Sequence, residues 1–129
     1  MKSTKTSWLV LVLLLLLWGL NHLAGVFDLY YRFDWYDTMM HTLGGVVAGC
    51  IALIGYDTFF NHLRLNRFGM MLYMIAIGFM IGIGWEVFEY IQDVVLGTQL
   101  IPTFRDTISD LISDMLGAGL CWYWYIIRG

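Results

Sequence analysis

Four segments of the chain are long and apolar enough to cross a lipid bilayer as α-helices. They cover about residues 8–27, 37–60, 70–95 and 106–127. An α-helix rises about 1.5 Å per residue, so about twenty apolar residues span a hydrocarbon core of about 30 Å. Hydrophobic residues make up 60% of the chain and charged residues only 13%. These features predict an all-α integral membrane protein, a compact four-transmembrane-helix bundle that forms a single membrane domain over residues 1–129.

The fourth segment begins with a ladder of acidic residues. Asp106, Asp110 and Asp114 recur at every fourth position, so an α-helix places them on one face, one above the other. An ionised aspartate at the centre of a spanning helix costs about 2.5–3.5 kcal/mol on insertion scales, and such residues usually belong to functional sites. The ladder therefore indicates a polar site within the membrane.

The second and third segments carry polar residues in similar positions. Asp37 and His41 are four residues apart, and Glu86, Glu89 and Asp93 follow one another at spacings of three and four. Each set lies on one helical face, and each face continues into glycines, which let membrane helices approach closely. We therefore expect these side chains to meet the aspartate ladder in one cavity.

The distribution of lysine and arginine predicts the orientation. With the N-terminus in the cytoplasm, five of these residues fall on the cytoplasmic side and two on the outer side, which is the favoured arrangement. Both termini are then cytoplasmic, and the polar cluster lies in the outer half of the membrane, with His22 approaching it from the first helix. Residues 28–36, rich in tyrosine and tryptophan, are expected to form a short loop at the outer interface.

The same observations also indicate where the protein is located and which partners it can have. We expect a multi-pass protein of the cell inner membrane, surrounded by membrane lipids. The formal net charge is −3, and no basic stripe runs along the chain, so we expect no nucleic-acid partner.

The predicted cavity suits a divalent metal ion as cofactor. Carboxylates favour Mg, Mn, Ca or Fe, and a histidine also admits Zn. The candidate metal ligands are the acids and the histidine at the expected level of the cavity, namely Asp37, His41, Glu86, Glu89, Asp110 and Asp114. Among them, Glu86, Asp110 and His41 are the candidate catalytic groups. Arg105 and Asp106 stand at the expected entrance as candidate substrate-binding residues, because a guanidinium can hold an anionic head group bidentately.

The order and spacing of these motifs resemble a known family. The pattern consists of Asp37-x3-His41, Glu86-x2-Glu89, Arg105 and Asp110-x3-Asp114-x2-Gly117-Ala118, and the resemblance covers roughly residues 35–120. This set resembles the VanZ-like superfamily of small bacterial membrane proteins and is closer to its YjdF-like inner-membrane branch. VanZ-type proteins typically carry glutamine at the position of Glu89 and asparagine at that of Asp114. VanZ itself is linked to resistance to the glycopeptide teicoplanin, whereas the YjdF-like branch implies a site without naming a reaction.

Three functions fit the residues. The first is a metal-dependent hydrolase or transferase that acts on a lipid or lipid-linked substrate. The second is a proton or ion pathway, since acid ladders also serve such paths. The third is a structural or accessory membrane protein in which the buried carboxylates form a hydrogen-bonded network that fixes the helix register. The sequence leaves the substrate, the metal, the oligomeric state and the physiological role open.

Overall fold

The computed structural model describes residues 3–97 and 103–128, and within these ranges the chain forms helices and short turns, with no strand. The α-helices are α1 (Ser3–Phe27), α2 (Leu29–Arg32), α3 (Asp34–Gly55), α4 (Arg67–Leu96) and α5 (Phe104–Arg128). A π-helical turn, Tyr56–Phe60, and a 3-10 turn, Asn61–Leu63, extend the end of α3. The all-helical prediction is confirmed for the described residues.

Within the described residues, three helical stretches are long and apolar enough to cross a membrane. They are Thr6–Phe27, Asp34–Leu63 and Arg67–Leu96, with mean hydropathies of 2.2, 1.6 and 1.8. The helix α5 is not among them, because its acidic first half and its aromatic second half make it less apolar than the others. Residues 3–97 and 103–128 thus include three candidate membrane-spanning helices, and α5 packs beside two of them.

The centre of the fold is the packing of α5 against both α3 and α4. Glycine makes this close approach feasible. A Cβ atom added to Gly45 would overlap the backbone carbonyl of Asp114, and one added to Gly117 would overlap the carbonyl of Thr42. Because both obstacles are backbone atoms, α3 and α5 can lie this close only without side chains at the two positions.

The end of the helices away from the acidic cluster has a small apolar core. Met74 and Cys50 are its most deeply buried large side chains. The thiol sulfurs of Cys50 and Cys121 lie 3.4 Å apart as free cysteines. The turn before α4 is held by Asn66, whose side chain accepts a hydrogen bond from the Gly69 amide as an N-cap.

The segment predicted as a loop, residues 28–36, is mostly helical, and this is a correction. Asp28 interrupts the chain with a positive φ of 53°, a conformation that aspartate tolerates better than most residues. The short helix α2 follows, and α3 then begins at Asp34. Tyr30 Oη donates to Asn21 Oδ1 at 2.9 Å, and Tyr36 Oη donates to the carbonyl of Leu20 at 2.8 Å. These bonds hold α2 and the start of α3 against the end of α1.

The later boundaries also differ from expectation in detail. The helix α4 begins at Arg67 and α5 at Phe104, two to three residues before the predicted starts. The predicted loop 97–105 lies partly outside the described residues. Its first residue, Gly97, ends α4 with φ of 65°, and its amide donates to the Asp93 carbonyl. Glycine suits this left-handed C-cap because it lacks a Cβ atom.

Candidate metal centre

His41 lies at the meeting point of α3, α4 and α5, and its side chain is only 5% exposed. Its Nε2 atom is 3.7 Å from Asp37 Oδ1, 3.9 Å from Glu86 Oε1 and 3.7 Å from Asp110 Oδ2. On the other side of the ring, Nδ1 is 3.3 Å from Asp114 Oδ2. Four carboxylates from three helices therefore surround one imidazole.

The three distances to Nε2 are too long for direct hydrogen bonds, which for N–H···O span about 2.7–3.2 Å. They suit atoms that share a small cation, because ligands bound at about 2.0–2.2 Å can lie up to about 4.4 Å apart. Two overlapping groups of candidate ligand atoms come close to this geometry, with the atoms of each group within 4.8 Å of one another. One is Asp37, His41 and Asp110, and the other is His41, Glu86 and Glu89.

Glu86 gives a second, independent indication of a ligand. The residue is 8% exposed, and its Oε2 atom accepts a hydrogen bond from Thr107 Oγ1 at 2.9 Å. Its Oε1 atom, the one nearest to His41 Nε2, is buried and has no hydrogen-bond donor among the described residues. A buried polar atom without a partner costs about 1–3 kcal/mol, and more when it carries charge. A cation between the two side chains would remove this cost.

Asp114 is positioned by glycines. A Cβ atom at Gly82 of α4 would overlap its Oδ2 atom, and Cβ atoms at Gly45 and Gly78 would crowd its carbonyl oxygen. The aspartate therefore occupies the space that three missing side chains leave between α3, α4 and α5. From there its carboxylate can accept a hydrogen bond from the Nδ1–H of His41, which leaves Nε2 free as a metal ligand.

Glu89 lies at the edge of the cluster and is half-buried. Its Oε1 atom accepts a hydrogen bond from Trp85 Nε1 at 3.0 Å, one helical turn earlier. Asp37 is also partly open, with 43% of its side chain exposed. The cluster thus has a closed side at Glu86, Asp110 and Asp114 and an accessible side at Asp37 and Glu89.

The other predicted residues lie elsewhere. Asp106 is exposed, and its carboxylate accepts from the Thr103 amide at 3.2 Å while the Asp106 amide donates to Thr103 Oγ1 at 3.3 Å. This reciprocal pair is a capping box that starts α5. Arg105 is exposed, and within the described residues it makes no ion pair with the cluster. His22 is exposed and stacks on Trp18, with 5.9 Å between the ring centroids.

Two hydrogen-bond donors of the cluster were not expected. Trp85 stands four residues before Glu89 on the same helix, so the spacing rule for helical pairs could have found it. Thr107 reaches Glu86 from another helix, and no local pattern signals such a contact. Among the described residues, His41 is the only basic side chain that pairs with the acids of the cluster.

A cavity of about 370 Å³ adjoins the accessible side of the cluster. It reaches Asp37, His41, Glu89 and Asp114 at one end and is otherwise lined mainly by apolar residues of α1, α3 and α4. Its volume falls within the range of about 300–1,000 Å³ that is usual for small-molecule sites.

The comparisons with known proteins agree with a membrane location. A family model described as "Predicted membrane protein (DUF2238)" matches residues 2–129. Comparison with curated proteins and with solved structures gave no significant match.

Proposed function

Because the chain belongs to the DUF2238 family of predicted membrane proteins, we propose that it binds a divalent cation inside the bilayer and acts there on a lipid or lipid-linked substrate. The observation that carries the proposal is the arrangement around His41 Nε2. Three carboxylate oxygens from three helices lie 3.7–3.9 Å from this nitrogen. One of them, Glu86 Oε1, has no hydrogen-bond donor in the part of the chain that the structure describes.

The proposed ligands divide into two roles. His41 Nε2, Asp37, Glu86 and Asp110 bind the ion, and Asp114 orients the imidazole from Nδ1. Since one ring nitrogen binds one ion, the two overlapping ligand groups describe one ion that draws on carboxylates from both. Glu89, at the open edge, could also bind the ion before a substrate arrives. A mixed nitrogen and oxygen site of this kind favours Mn, Fe or Zn over Mg.

The charge of a bound ion would determine the chemistry of the site. A bound divalent ion can polarise a phosphoryl or carbonyl oxygen and lower the pKa of a bound water. Asp37 and Glu89 lie on the accessible side of the cluster, so a substrate would arrive there, and the Glu89 carboxylate could then accept a proton from an attacking group. Hydrolysis and transfer both remain compatible with this arrangement.

The proposed topology places α5 across the membrane as a fourth span. Its polar first half is then shielded by α3 and α4, with which it packs. The lysine and arginine distribution supports cytoplasmic termini, a site in the outer half and an inner-membrane location. In this orientation, Arg105 and Asp106 stand near the outer surface, where Arg105 can meet an anionic head group before it enters.

The resemblance to the VanZ-like superfamily and its YjdF-like branch belongs to the same proposal. The residues that carry it include His41, Glu86, Asp110 and Asp114, all of which lie in the cluster. The asparagine that VanZ-type proteins carry at position 114 could still accept from the imidazole through its amide oxygen. The substitution at position 89 changes a neutral amide to an acid, so this chain would hold a cation more tightly at its open edge.

The main competing function is a structural network of hydrogen bonds. The contacts of Thr107 with Glu86 and of Trp85 with Glu89 favour it. The unpartnered Glu86 Oε1 argues against it, because a network that serves only stability should satisfy its buried acceptors. An ion pathway is less favoured, since Gly45 and Gly117 bring α3 and α5 into backbone contact just beyond Asp114.

Elemental analysis of the purified protein in mild detergent tests the proposal. Glu86→Gln and Asp110→Asn keep the shapes of the side chains and remove one ligand charge each. Asp57→Asn is the matched control, because Asp57 is an exposed acid in the π-helical turn. We expect one metal ion per chain in the wild type and in the control, and a loss of about tenfold or more in affinity in the two cluster variants.

Two results would contradict the metal site. One is a wild-type protein that carries no stoichiometric metal after purification and binds none of Mn, Fe or Zn on titration. The other is equal retention of metal by Glu86→Gln, Asp110→Asn and the control. Reduced thermal stability of the cluster variants without any metal would instead favour the structural network.

A further inference from the structure

The first helix leaves a lateral opening in the protein. Along the described ranges, α1 packs against α3, and neither α4 nor α5 makes a comparable contact with it. The cavity of about 370 Å³ fills the gap between α1 and α4, and α3 forms its floor. In a membrane, such a gap faces the hydrocarbon of the bilayer.

The cavity changes character along its length. Its polar end contains Asn21, Tyr30, Asp37, His41 and Glu89. The remainder has apolar walls, with Leu14 and Leu17 from α1, Val47 and Ile51 from α3, and Ile81 from α4. A molecule that matches both ends has a polar head and a hydrocarbon tail.

Exposure shows which side of the cavity is open. Leu14, Ile51, Ile81 and Trp85 on its walls are each at least 40% exposed, whereas His41 at its inner end is 5% exposed. The cavity therefore leads sideways from the lipid-facing surface to the carboxylate cluster. The apolar walls offer water no hydrogen-bond partners, so hydrocarbon is the favoured occupant there.

We propose that the α1–α4 cavity admits one hydrocarbon chain of a membrane phospholipid and brings the phosphate of that lipid to the cation at His41. The phosphate assignment rests on the proposed function, because without a cation the surrounding carboxylates would repel an anionic head. With the ion in place, phosphate oxygens are suitable ligands for it. Trp85, whose indole nitrogen binds Glu89, stands where the head passes from the bilayer to the cluster.

The test compares lipid retention in variants that fill the cavity. The proteins are reconstituted with phosphatidylglycerol, extracted in mild detergent and weighed intact by native mass spectrometry, with metal content measured on the same samples. Ile51→Trp fills the cavity from its floor, and Leu14→Trp fills it from the α1 wall. Leu120→Trp is the control, since Leu120 is an exposed residue of α5 that does not line the cavity.

We expect one phosphatidylglycerol on the wild type and on the control. Both filled variants should lose about tenfold in retention, the effect of withdrawing about two methylene groups from a hydrocarbon site, while their metal content stays unchanged. Removal of the metal with a chelator should lower retention in the wild type as well. Agreement between two fillings on different helices, α1 and α3, separates blockage of the cavity from local misfolding.

The alternatives give different results. Equal lipid retention in the filled variants and the control would overturn the cavity assignment, and so would a second copy of the chain bound in place of lipid. Retention that depends on filling but not on the metal would overturn the placement of the phosphate. If the wild type holds no metal and the fillings still displace lipid, the proposed metal function fails while the lateral hydrocarbon site stands.

Discussion

Substitution of glycine by alanine should have three different effects at Gly45, Gly82 and Gly84. A methyl group at Gly84 would have no neighbour within 4 Å among the described residues. A methyl group at Gly82 would overlap the Asp114 carboxylate, whose Cγ atom is 3.1 Å from the added carbon. A methyl group at Gly45 would overlap the Asp114 backbone carbonyl, with the carbonyl carbon at 2.8 Å. The same substitution therefore meets open space, a side chain that can rotate, or a backbone that cannot.

The magnitudes follow from these surroundings. Gly84→Ala gains helix propensity and should stabilise the protein by about 0.5–1 kcal/mol. Gly82→Ala has the same gain, offset by displacement of the carboxylate, so its stability should stay close to that of the wild type. Gly45→Ala forces α3 away from α5, and overpacking of this kind costs about 1–3 kcal/mol or more.

The affinity for metal should distinguish Gly82→Ala from Gly84→Ala. Rotation of the Asp114 carboxylate breaks its contact with His41 Nδ1, which orients the imidazole. Loss of such an orienting partner typically lowers metal affinity by about 10–100-fold, equal to about 1.4–2.7 kcal/mol. Gly84→Ala lies two residues away on the same helix and should bind metal as the wild type does.

Thermal unfolding in detergent measures the stability, and titration calorimetry with Mn or Zn measures the affinity. The expected pattern is a raised midpoint for Gly84→Ala, weakened binding at near-normal stability for Gly82→Ala, and a lowered midpoint for Gly45→Ala. Equal affinities of Gly82→Ala and Gly84→Ala would refute the role given to Asp114. A Gly45→Ala protein as stable as Gly84→Ala would refute the close packing of α3 on α5.

Two further predictions concern the hydrogen bond to Glu86 and the removal of the ion. Thr107→Val removes the hydroxyl that donates to Glu86 Oε2 and should destabilise the protein by about 1–3 kcal/mol in thermal unfolding. Thr58→Val is its control, because that exposed hydroxyl donates only to a carbonyl of its own helix, and an equal loss in both variants would contradict the reasoning. A free metal concentration of 100 times the dissociation constant stabilises the folded state by about 2.7 kcal/mol. A chelator should therefore lower the unfolding midpoint, and re-added metal should restore it. His41→Ala should not respond to either treatment, and a wild type that ignores the chelator would count against a bound ion.

The helical spacing of the acids made much of the candidate site predictable from the sequence. Acids three or four residues apart share a helical face, and a spanning helix can keep several of them only by turning that face inward. On this basis His41, Glu86 and Asp110 were expected together. In the structure all three are buried, and carboxylate oxygens of Glu86 and Asp110 lie 3.9 Å and 3.7 Å from His41 Nε2. The membrane location was likewise expected from the apolar segments, and the family match agrees with it.

Other features could not be deduced from local patterns. Asp106 continues the aspartate ladder by spacing, yet it forms a capping box with Thr103, because it stands in the first turn where free amides need acceptors. The contact of Thr107 with Glu86 depends on the position of α5 relative to α4 along their axes. The helix α1 is apolar on every side, so its sequence does not indicate which face packs against the protein or that a gap remains beside α4.

The central claim is that His41 Nε2 binds a divalent cation together with carboxylates. X-ray absorption spectroscopy of the Mn- or Zn-loaded protein tests it most directly, because scattering from an imidazole ring differs from that of isolated oxygen ligands. The account predicts one imidazole and three or four oxygen ligands at about 2.0–2.2 Å, with the imidazole signal lost in His41→Ala. A metal shell made only of oxygen atoms in the wild type, or no protein-bound metal at all, would contradict the account.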